Sequence, residues 1–518
     1  MSFMSDRERG VVEAVSALAA GNPFLPERVE NERRALGSAF TPLTAVWHEG
    51  ADLEAANPNV DALLALAEQL APELRGRLAS GARGTRRELE AYQGLVWYLL
   101  YYRYLAVFDA LLQRARDGDS TTTRVAGYRS YRADATHFLE IPGVRLPARI
   151  EAAHLFAWGY QLRRAFDNTF RGIQGASMPA ARMRAKVWQS IFTHDFMRYG
   201  RSLYRRLGDV TTLVLGESGT GKELVARAIG LARYIPFDEK SGRFAADYGA
   251  EFHPVNLSAL SPTLVESELF GHRRGAFTGA LEDRAGWLES CSAFGTVFLD
   301  EIGELDPLIQ VKLLRVLQSR TFQRVGETRE RVFEGKIIAA TNRDLAAEIA
   351  TGRFRRDLYY RLCADLIQTS TLREQVADSP AELSGLIRIV SRRLIGAEES
   401  EALAREVERF VFAELGRDYA WPGNVRELEQ CVRNVLIRGE YRPPELFADP
   451  DRDDLAERVR SGTLGAEELL RRYCTQVYAE AGSYEEAARR LGLDRRTVKA
   501  KVDRELLERL GGPLGPAR

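Results

Sequence analysis

The chain is poor in cysteine, carries no net charge and has no long uninterrupted apolar run. Its four cysteines are Cys291, Cys363, Cys431 and Cys474. None stands at a metal-like spacing from another, so a disulfide framework and a thiolate metal site are both unexpected. The first residues show no secretory pattern. Reduced thiols in a cytoplasmic protein are the plain expectation. Lys and Arg number 73, and so do Asp and Glu. A neutral chain has no global field to attract nucleic acid, so any DNA binding must come from a local basic patch. The most apolar stretch, residues 95–108, is interrupted by Arg103 and followed by Asp109. It falls short of the ~20 predominantly apolar residues that span a bilayer. A buried amphipathic helix is expected there, and no membrane contact. No internal repeat is evident.

What is present points to several domains. At 518 residues the chain exceeds the ~250–300 residues at which single cores stop growing. Residues 1–185 read as mostly helical, with apolar residues returning at helical spacing and breaks at 21–24, 81–84, 117–120 and 175–179. Residues 124–147 hold more Gly, Tyr, Thr and Val, and short strands or a loop are expected there. Residues 186–371 alternate short β-branched runs with helical patterns, the signature of a parallel sheet flanked by helices. Strands are expected at 211–216, Phe252–Asn256, Thr296–Asp300, Lys336–Thr341 and 365–369. Residues 372–440 return to helix as a lid. Residues 441–465 make a polar linker, and 466–518 a small all-helical module.

A glycine-rich loop, Gly216, Glu217, Ser218, Gly219, Thr220, Gly221 and Lys222, follows an apolar strand and opens a helix. This is the context of a phosphate-binding loop, where backbone N–H groups and the helix dipole meet the anion. Lys222 would reach the β- and γ-phosphates. The general motif has Ser or Thr after the lysine to bind magnesium, and here Glu223 takes that place. Downstream, Asp300 and Glu301 end a buried strand. They fit a metal-binding carboxylate and a group that orients or deprotonates the attacking water. Near the C-terminus, residues 484–501 read as helix, glycine turn at Gly492, helix, with Asp494 as N-cap. Ala487, Ala488, Leu491 and Val498 would face inward. Arg495, Arg496, Thr497, Lys499 and Lys501 form the local basic patch that DNA binding requires.

Between the loop and the acidic strand end stands Gly275-Ala276-Phe277-Thr278-Gly279-Ala280. A GAFTGA run in this position resembles the bacterial enhancer-binding proteins, the AAA+ activators of sigma-54 RNA polymerase. The resemblance covers about residues 186–508. It implies an α/β P-loop AAA+ core with a helical lid, and a Fis-type helix-turn-helix domain. The six residues 275–280 would contact the sigma factor, chiefly through an exposed Phe277 and through Thr278. Asn256 would hold the catalytic glutamate. Thr341 and Asn342 match the first sensor, and Arg426 the second. Arg355 and Arg361 match two arginines that act in trans, with Arg353 and Arg356 solvated or salt-bridged. Arg324 and Glu327, in a hairpin-like second loop, would face the ring pore. Asp300 with waters would hold the ion.

The implied function is a sigma-54-dependent activator. It would bind upstream DNA and use ATP, with Mg2+, in a homo-oligomeric ring, a hexamer by resemblance, to remodel the closed polymerase complex. Two other readings stay open on the sequence: a nucleotide-switched DNA-binding regulator without productive hydrolysis, and an AAA+ remodeller of another protein. The segment 234–251 is longer than the family's usual connection, so an extra loop or hairpin is expected. The run Thr369-Ser370-Thr371 stands where the family has prolines. Residues 1–185 show no receiver-like arrangement around a phosphoacceptor aspartate. They are expected to be a helical regulatory domain that takes an unknown ligand or partner. The aromatic cluster Trp97, Tyr98, Tyr101, Tyr102 and Tyr104 motivates that expectation.

Overall fold

The structure, a computed structural model, describes residues 2–42, 57–247, 249, 251–443, 464–503 and 506–507. Most of the expected linker (444–463) and the tail 508–518 lie outside the described residues. The chain divides into two units, Met1–Glu440 and Tyr441–Arg518.

Among the described residues eight helices open the first unit: α1 (Asp6–Ala20), α2 (Glu27–Leu36), α3 (Pro58–Ala79), α4 (Arg86–Arg103), α5 (Leu105–Arg116), α6 (Tyr128–Leu139), α7 (Ala152–Gly172) and α8 (Met178–Phe192). Local chemistry sets their starts. Ser5 with Glu8 and Thr85 with Glu88 form reciprocal capping boxes, which satisfy N–H groups that a helix end leaves bare. Asn57 caps α3, and Pro58 occupies its first turn. Every residue from Ala91 to Leu100 of α4 is buried, which explains the apolar stretch. A 50° bend at Tyr104 separates α4 from α5, and no single helix among the described residues is long and apolar enough to cross a membrane.

Two expectations change here. Residues 124–147 contain the helix α6 and no strand among the described residues. Its buried Tyr128, Tyr131, Ala135 and Phe138 fall on one helical face, and the β-branched Thr136 lies on the exposed side. The helical region also runs past residue 185, because α8 crosses that position.

A short helix α9 (Phe196–Arg198) leads to the sheet. The five main strands are β1 (Thr212–Leu215), β4 (Phe252–Asn256), β7 (Thr296–Asp300), β10 (Lys336–Thr341) and β11 (Asp365–Gln368). All pair in parallel, in the order β11-β1-β10-β7-β4. β10 is buried at all six positions, as expected of a strand covered on both faces. Between β1 and β4 come α10 (Lys222–Gly230) and an antiparallel pair, β2 (Phe237–Asp238) with β3 (Arg243–Phe244). This pair is the extra hairpin of segment 234–251, and Phe237 packs on Phe156 of α7 at 5.0 Å between ring centroids.

After β4 follow α11 (Pro262–Phe270), the pair β5 (Gly271–His272) and β6 (Arg284–Ala285), and α12 (Trp287–Ser290). After β7 follow α13 (Pro307–Ser319) and the pair β8 (Thr321–Phe322) and β9 (Arg331–Val332). α14 (Leu345–Ala350) and α15 (Arg356–Leu362) follow β10. The lid is α16 (Leu372–Asp378), α17 (Ala381–Ile395), α18 (Ala397–Phe410) and α19 (Asn424–Arg438). The run without prolines acts through hydroxyls instead. Thr371 forms a capping box with Glu374 at the start of α16, and Thr369 donates to the Leu215 carbonyl at 3.2 Å.

In the second unit, α20 (Ala466–Ala481), α21 (Tyr484–Leu491) and α22 (Arg495–Lys501) enclose a small core of Val477, Tyr478, Ala487, Ala488, Val498 and Leu507.

Candidate nucleotide and coupling site

Parallel strands deliver their following loops to one edge, so the turns after β1, β4, β7 and β10 share the C-terminal end of the sheet. The glycine-rich loop leaves β1 there. Two of its glycines are required by close approach. A Cβ on Gly216 would lie 1.8 Å from the Thr369 hydroxyl, and one on Gly219 would lie 2.3 Å from the Gly423 carbonyl. Gly219 and Gly221 also have φ of 78° and 85°, which favour glycine. Thr220 shares a 2.7 Å hydrogen bond with Thr369, tying the loop to the end of β11. Lys222 is buried, and its Nζ donates to the Gly216 and Glu217 carbonyls at 3.0 and 3.2 Å. Burial pulls its pKa down, with Glu301 and Asp300 opposing. Glu217, Ser218 and Glu223 are exposed.

Asp300 lies in register with Asn256 across the β7–β4 pair. Burial pushes its carboxyl above the usual range, against the Glu301 N–H bond and Lys222. Glu301 sits in the left-handed region at φ 55°, a conformation that costs a residue with a Cβ about 1–2 kcal/mol. Its Oε2 accepts the Asn342 N–H at 3.3 Å. The expected Asn256 contact is absent: Asn256 Oδ1 accepts from the Ser258 N–H at 3.0 Å and hydroxyl at 2.8 Å. A side chain that can bond two residues ahead is captured by its own turn. Thr341 is likewise turned inward. It is buried, and its hydroxyl accepts the Arg343 N–H at 3.1 Å. Asn342 is exposed at the edge.

The lid reaches the loop at the N-terminus of α19. Arg426 donates to the Ser218 hydroxyl at 2.8 Å. Asn424, which sequence reading passed over, does more. Its Nδ2 donates to the Ser218 carbonyl and to Glu217 Oε2, each at 3.1 Å, and its Oδ1 accepts the Leu372 N–H at 2.9 Å. One buried amide thus joins the phosphate loop, the lid entry and α19. Asn424 follows Gly423 and sits in the left-handed region at φ 53°.

Arg355, Arg356 and Arg361 are exposed around α15. Arg355 is paired to Asp357 through two bonds of 3.0 and 2.7 Å. Arg353 is paired to Glu348 at 2.6 and 3.0 Å. Arg361 and Arg356 have no side-chain partner among the described residues. Gln310 was also missed. It is fully buried, donates to the Leu305 and Arg353 carbonyls, and accepts the Arg355 N–H at 2.9 Å.

The GAFTGA segment is the tip of the β5–β6 excursion. Gly275 donates to the Ala280 carbonyl at 2.8 Å, and Asp283 accepts the Arg274 N–H at 2.8 Å. Thr278 is exposed, but Phe277 is half-buried, edge-on to His272 at 5.0 Å. The expectation of an exposed phenylalanine is corrected, because its ring packs edge-on against the buried His272 ring. The exposed large side chain is Leu281, at 80%. The second loop is stitched alongside. Val325 donates to the Gly271 carbonyl at 2.9 Å and accepts the Arg273 N–H at 3.0 Å. Arg324 and Glu327 point into ion pairs, not outward. Arg324 grips Glu289 of α12 through two 2.7 Å bonds, and Glu327 pairs with Arg331 at 2.9 Å.

In the second unit, Asp494 caps α22, and Gly492 turns the chain at φ 64°. Arg496 and Lys499 are exposed without a side-chain partner among the described residues. Arg495 pairs with Glu485 at 2.9 Å, Lys501 with Glu467 at 2.9 Å, and Thr497 is half-buried.

The family model described as the sigma-54 interaction domain matches residues 196–368. The chain is 40% identical over 275 residues to the sigma54-dependent transcriptional activator SfnR of Pseudomonas putida, covering 52% of this chain and 69% of that protein. It is 37% identical over 306 residues to the transcriptional regulatory protein ZraR of Salmonella typhimurium, covering 57% of this chain and 64% of ZraR. It is 46% identical over 230 residues to the Nif-specific regulatory protein of Azotobacter vinelandii, covering 44% of this chain and 40% of that protein. The match to ZraR thus spans just under two thirds of its length. With the parallel sheet, the glycine-rich loop and the GAFTGA tip in place, the chain belongs to the family of sigma-54-dependent transcriptional activators.

Proposed function

We propose that the chain is an ATPase that assembles into a ring and uses hydrolysis to remodel a sigma-54 polymerase complex at promoters. The observation that carries this reading is the meeting of Lys222, Asp300, Glu301, Asn342 and Arg426 at one sheet edge, with the GAFTGA excursion on the same subdomain. The loop N–H groups, Lys222 and the α10 N-terminus hold the phosphates. Arg426 and Asn424 report their presence to the lid. Glu301 orients or deprotonates the attacking water. Arg361, free at the surface, enters a neighbour's site and stabilises charge on the transferring phosphoryl group.

The donor set fits magnesium. Mg2+ is usually held by one or two carboxylates, waters and phosphates, and Asp300 stands at the strand end beside Lys222 and Glu301. Asp300 is that carboxylate, and the ion neutralises phosphate charge when bound. Thr278 with Phe277 and Leu281 engages the sigma factor, while the second loop holds the tip in place. The second unit binds upstream DNA through Arg496 and Lys499. The helices before residue 193 form a regulatory domain of a cytoplasmic protein.

The test is capture of purified sigma-54 by the full chain, with and without ADP–aluminium fluoride. Capture that depends on the transition-state mimic and is lost in Thr278→Ala, with ATP turnover retained, is the expected result. A Thr278→Ala variant that still captures sigma-54 and activates transcription would refute the coupling role. No capture by the unmodified chain would favour another protein target.

A further inference from the structure

Helices α1, α4, α5, α7 and α8 surround a cavity of about 780 Å³. That volume lies within the ~300–1,000 Å³ of small-molecule sites, which are mostly apolar with a few placed polar groups. The wall is aromatic, with Trp97, Tyr101 and Tyr102 from α4, Phe108 from α5, and Trp158 and Phe166 from α7. Tyr101 stacks on Phe108 at 6.0 Å and meets Tyr102 edge-on at 5.0 Å. Tyr101 is half-exposed, yet burial pushes its phenol far above the usual range. Tyr101 lines the cavity, and its hydroxyl stays protonated as a donor. That hydroxyl has no hydrogen-bond partner among the described residues. The indole N–H groups of Trp97 and Trp158, in the same wall and 5.7 Å apart as rings, also lack acceptors.

The charges in the wall cancel. Among the described residues four arginines and four acids line it, with no lysine or histidine. They stand largely as pairs: Arg28 with Glu32, Arg163 with Asp109 at 2.5 Å, and Arg116 with Asp167 at 2.5 Å. A bound ion would have to compete with these partners and bear its own desolvation, whereas an uncharged ring loses little on entry.

The same helices carry the wall to the ATPase. On α7, Trp158 and Leu162 line the cavity. One step around that helix, Gln161 donates to the Ala232 carbonyl at 2.9 Å, and Arg164 to the Leu231 and Arg233 carbonyls at 2.9 and 2.7 Å. These carbonyls close the phosphate-loop helix α10. On α8, Trp188 lines the cavity, and Ser190 donates to Asp365 of β11 at 2.6 Å.

We propose that this cavity binds an uncharged aromatic small molecule bearing a hydroxyl or carbonyl group, and that its occupancy is the signal the N-terminal helices pass to the ATPase. The signalling half rests on the function proposed above; the binding half does not.

The probe is Nile red, an uncharged aromatic ketone that fluoresces in apolar sites, titrated into the full chain. It is then displaced by naphthalene, β-naphthol or β-naphthoate. Nile red should bind saturably, and β-naphthol should displace it while the anionic naphthoate does not. Leu162→Trp, which narrows the cavity with a bulkier indole ring, should abolish the response. Tyr101→Phe should weaken β-naphthol by ~3–10-fold and leave naphthalene unchanged, since one hydrogen bond is lost without a change of shape. If Leu162→Trp melts early, the nearly isosteric Tyr101→Phe still decides. No saturable response in the full chain, an equal response in a folded Leu162→Trp, or tighter binding of naphthoate than naphthol would overturn the site. ATP turnover should change on saturation with β-naphthol in the unmodified chain and not in Leu162→Trp. Confirmed binding with unchanged turnover would overturn the signalling half alone. Sigma-54 enters neither readout.

Discussion

Glu301 is held by Asn342, whose backbone N–H donates to Glu301 Oε2 at 3.3 Å across the ends of β7 and β10. The asparagine on the other side, Asn256, is spent on Ser258. The carboxylate is therefore positioned from the end of β10. In Glu301→Gln the amide oxygen can still accept that bond, so the loop keeps its shape while the base is lost. Nucleotide affinity should stay near that of the unmodified chain, and turnover should fall by ~10²–10⁴-fold, read by fluorescent-nucleotide titration and phosphate release. Asn256→Ala should have a much smaller effect. An equal loss in Asn256→Ala would show that Asn256 swings onto Glu301 during the cycle.

The Arg361 side chain is exposed and free of partners among the described residues, while Arg355 is already paired to Asp357. Arg361→Ala should lower turnover by ~10³-fold or more at concentrations where rings form, with nucleotide binding retained. Arg355→Ala should cost less. Mixing Arg361→Ala with Lys222→Ala should restore part of the activity, because one subunit brings the arginine and its neighbour the intact loop. A mixture as inactive as its components would remove Arg361 from the shared site.

Gly219 sets the fit between loop and lid. Its φ is 78°, and an added Cβ would stand 2.3 Å from the Gly423 carbonyl. Gly219→Ala must push α19 away or strain the loop, at a cost of about 1–2 kcal/mol for the backbone conformation alone. Loosening should also pull Asn424 from Ser218 and Leu372. The expected outcome is a lower denaturant midpoint and ~10-fold or weaker ATP binding. Unchanged affinity would mean that the lid contact is not part of the nucleotide site.

The sheet was legible because its central strands β1, β7 and β10 are short β-branched runs that stay almost wholly buried. The acidic strand end and glycine loop were legible because backbone path alone determines where they sit. What sequence reading missed depends on which way a side chain turns. Asn256 and Thr341 stand where expected but bond into their own turns, and Phe277 finds His272. Gln310 and Asn424 were missed for another reason: two of Gln310's three partners lie 43–45 residues away and those of Asn424 lie 52–207 residues away, and no local pattern encodes such distances. In residues 124–147 the turn-like composition masked an amphipathic helix whose inward face is mostly aromatic.

The basic helix of the second unit separates into free and engaged charges, and this gives a graded expectation for DNA. Arg496 and Lys499 are exposed without partners among the described residues, while Arg495 is tied to Glu485 and Lys501 to Glu467. An engaged cation must give up its carboxylate before it can meet a phosphate, so its removal costs less affinity. Arg496→Ala and Lys499→Ala should each weaken binding more than Arg495→Ala or Lys501→Ala. A residue that contacts a phosphate should also lower the salt slope by about 1 when removed, because one fewer counterion is released. A residue that reads a base edge should instead relax sequence preference. Asp494→Ala offers the control: it removes the cap of α22 and should cost about 1 kcal/mol of that unit's stability. Titrating the full chain onto duplex DNA at several salt concentrations distinguishes these cases. Equal losses and equal slopes for all four cations would mean that the ion pairs open freely and that placement alone governs the contact.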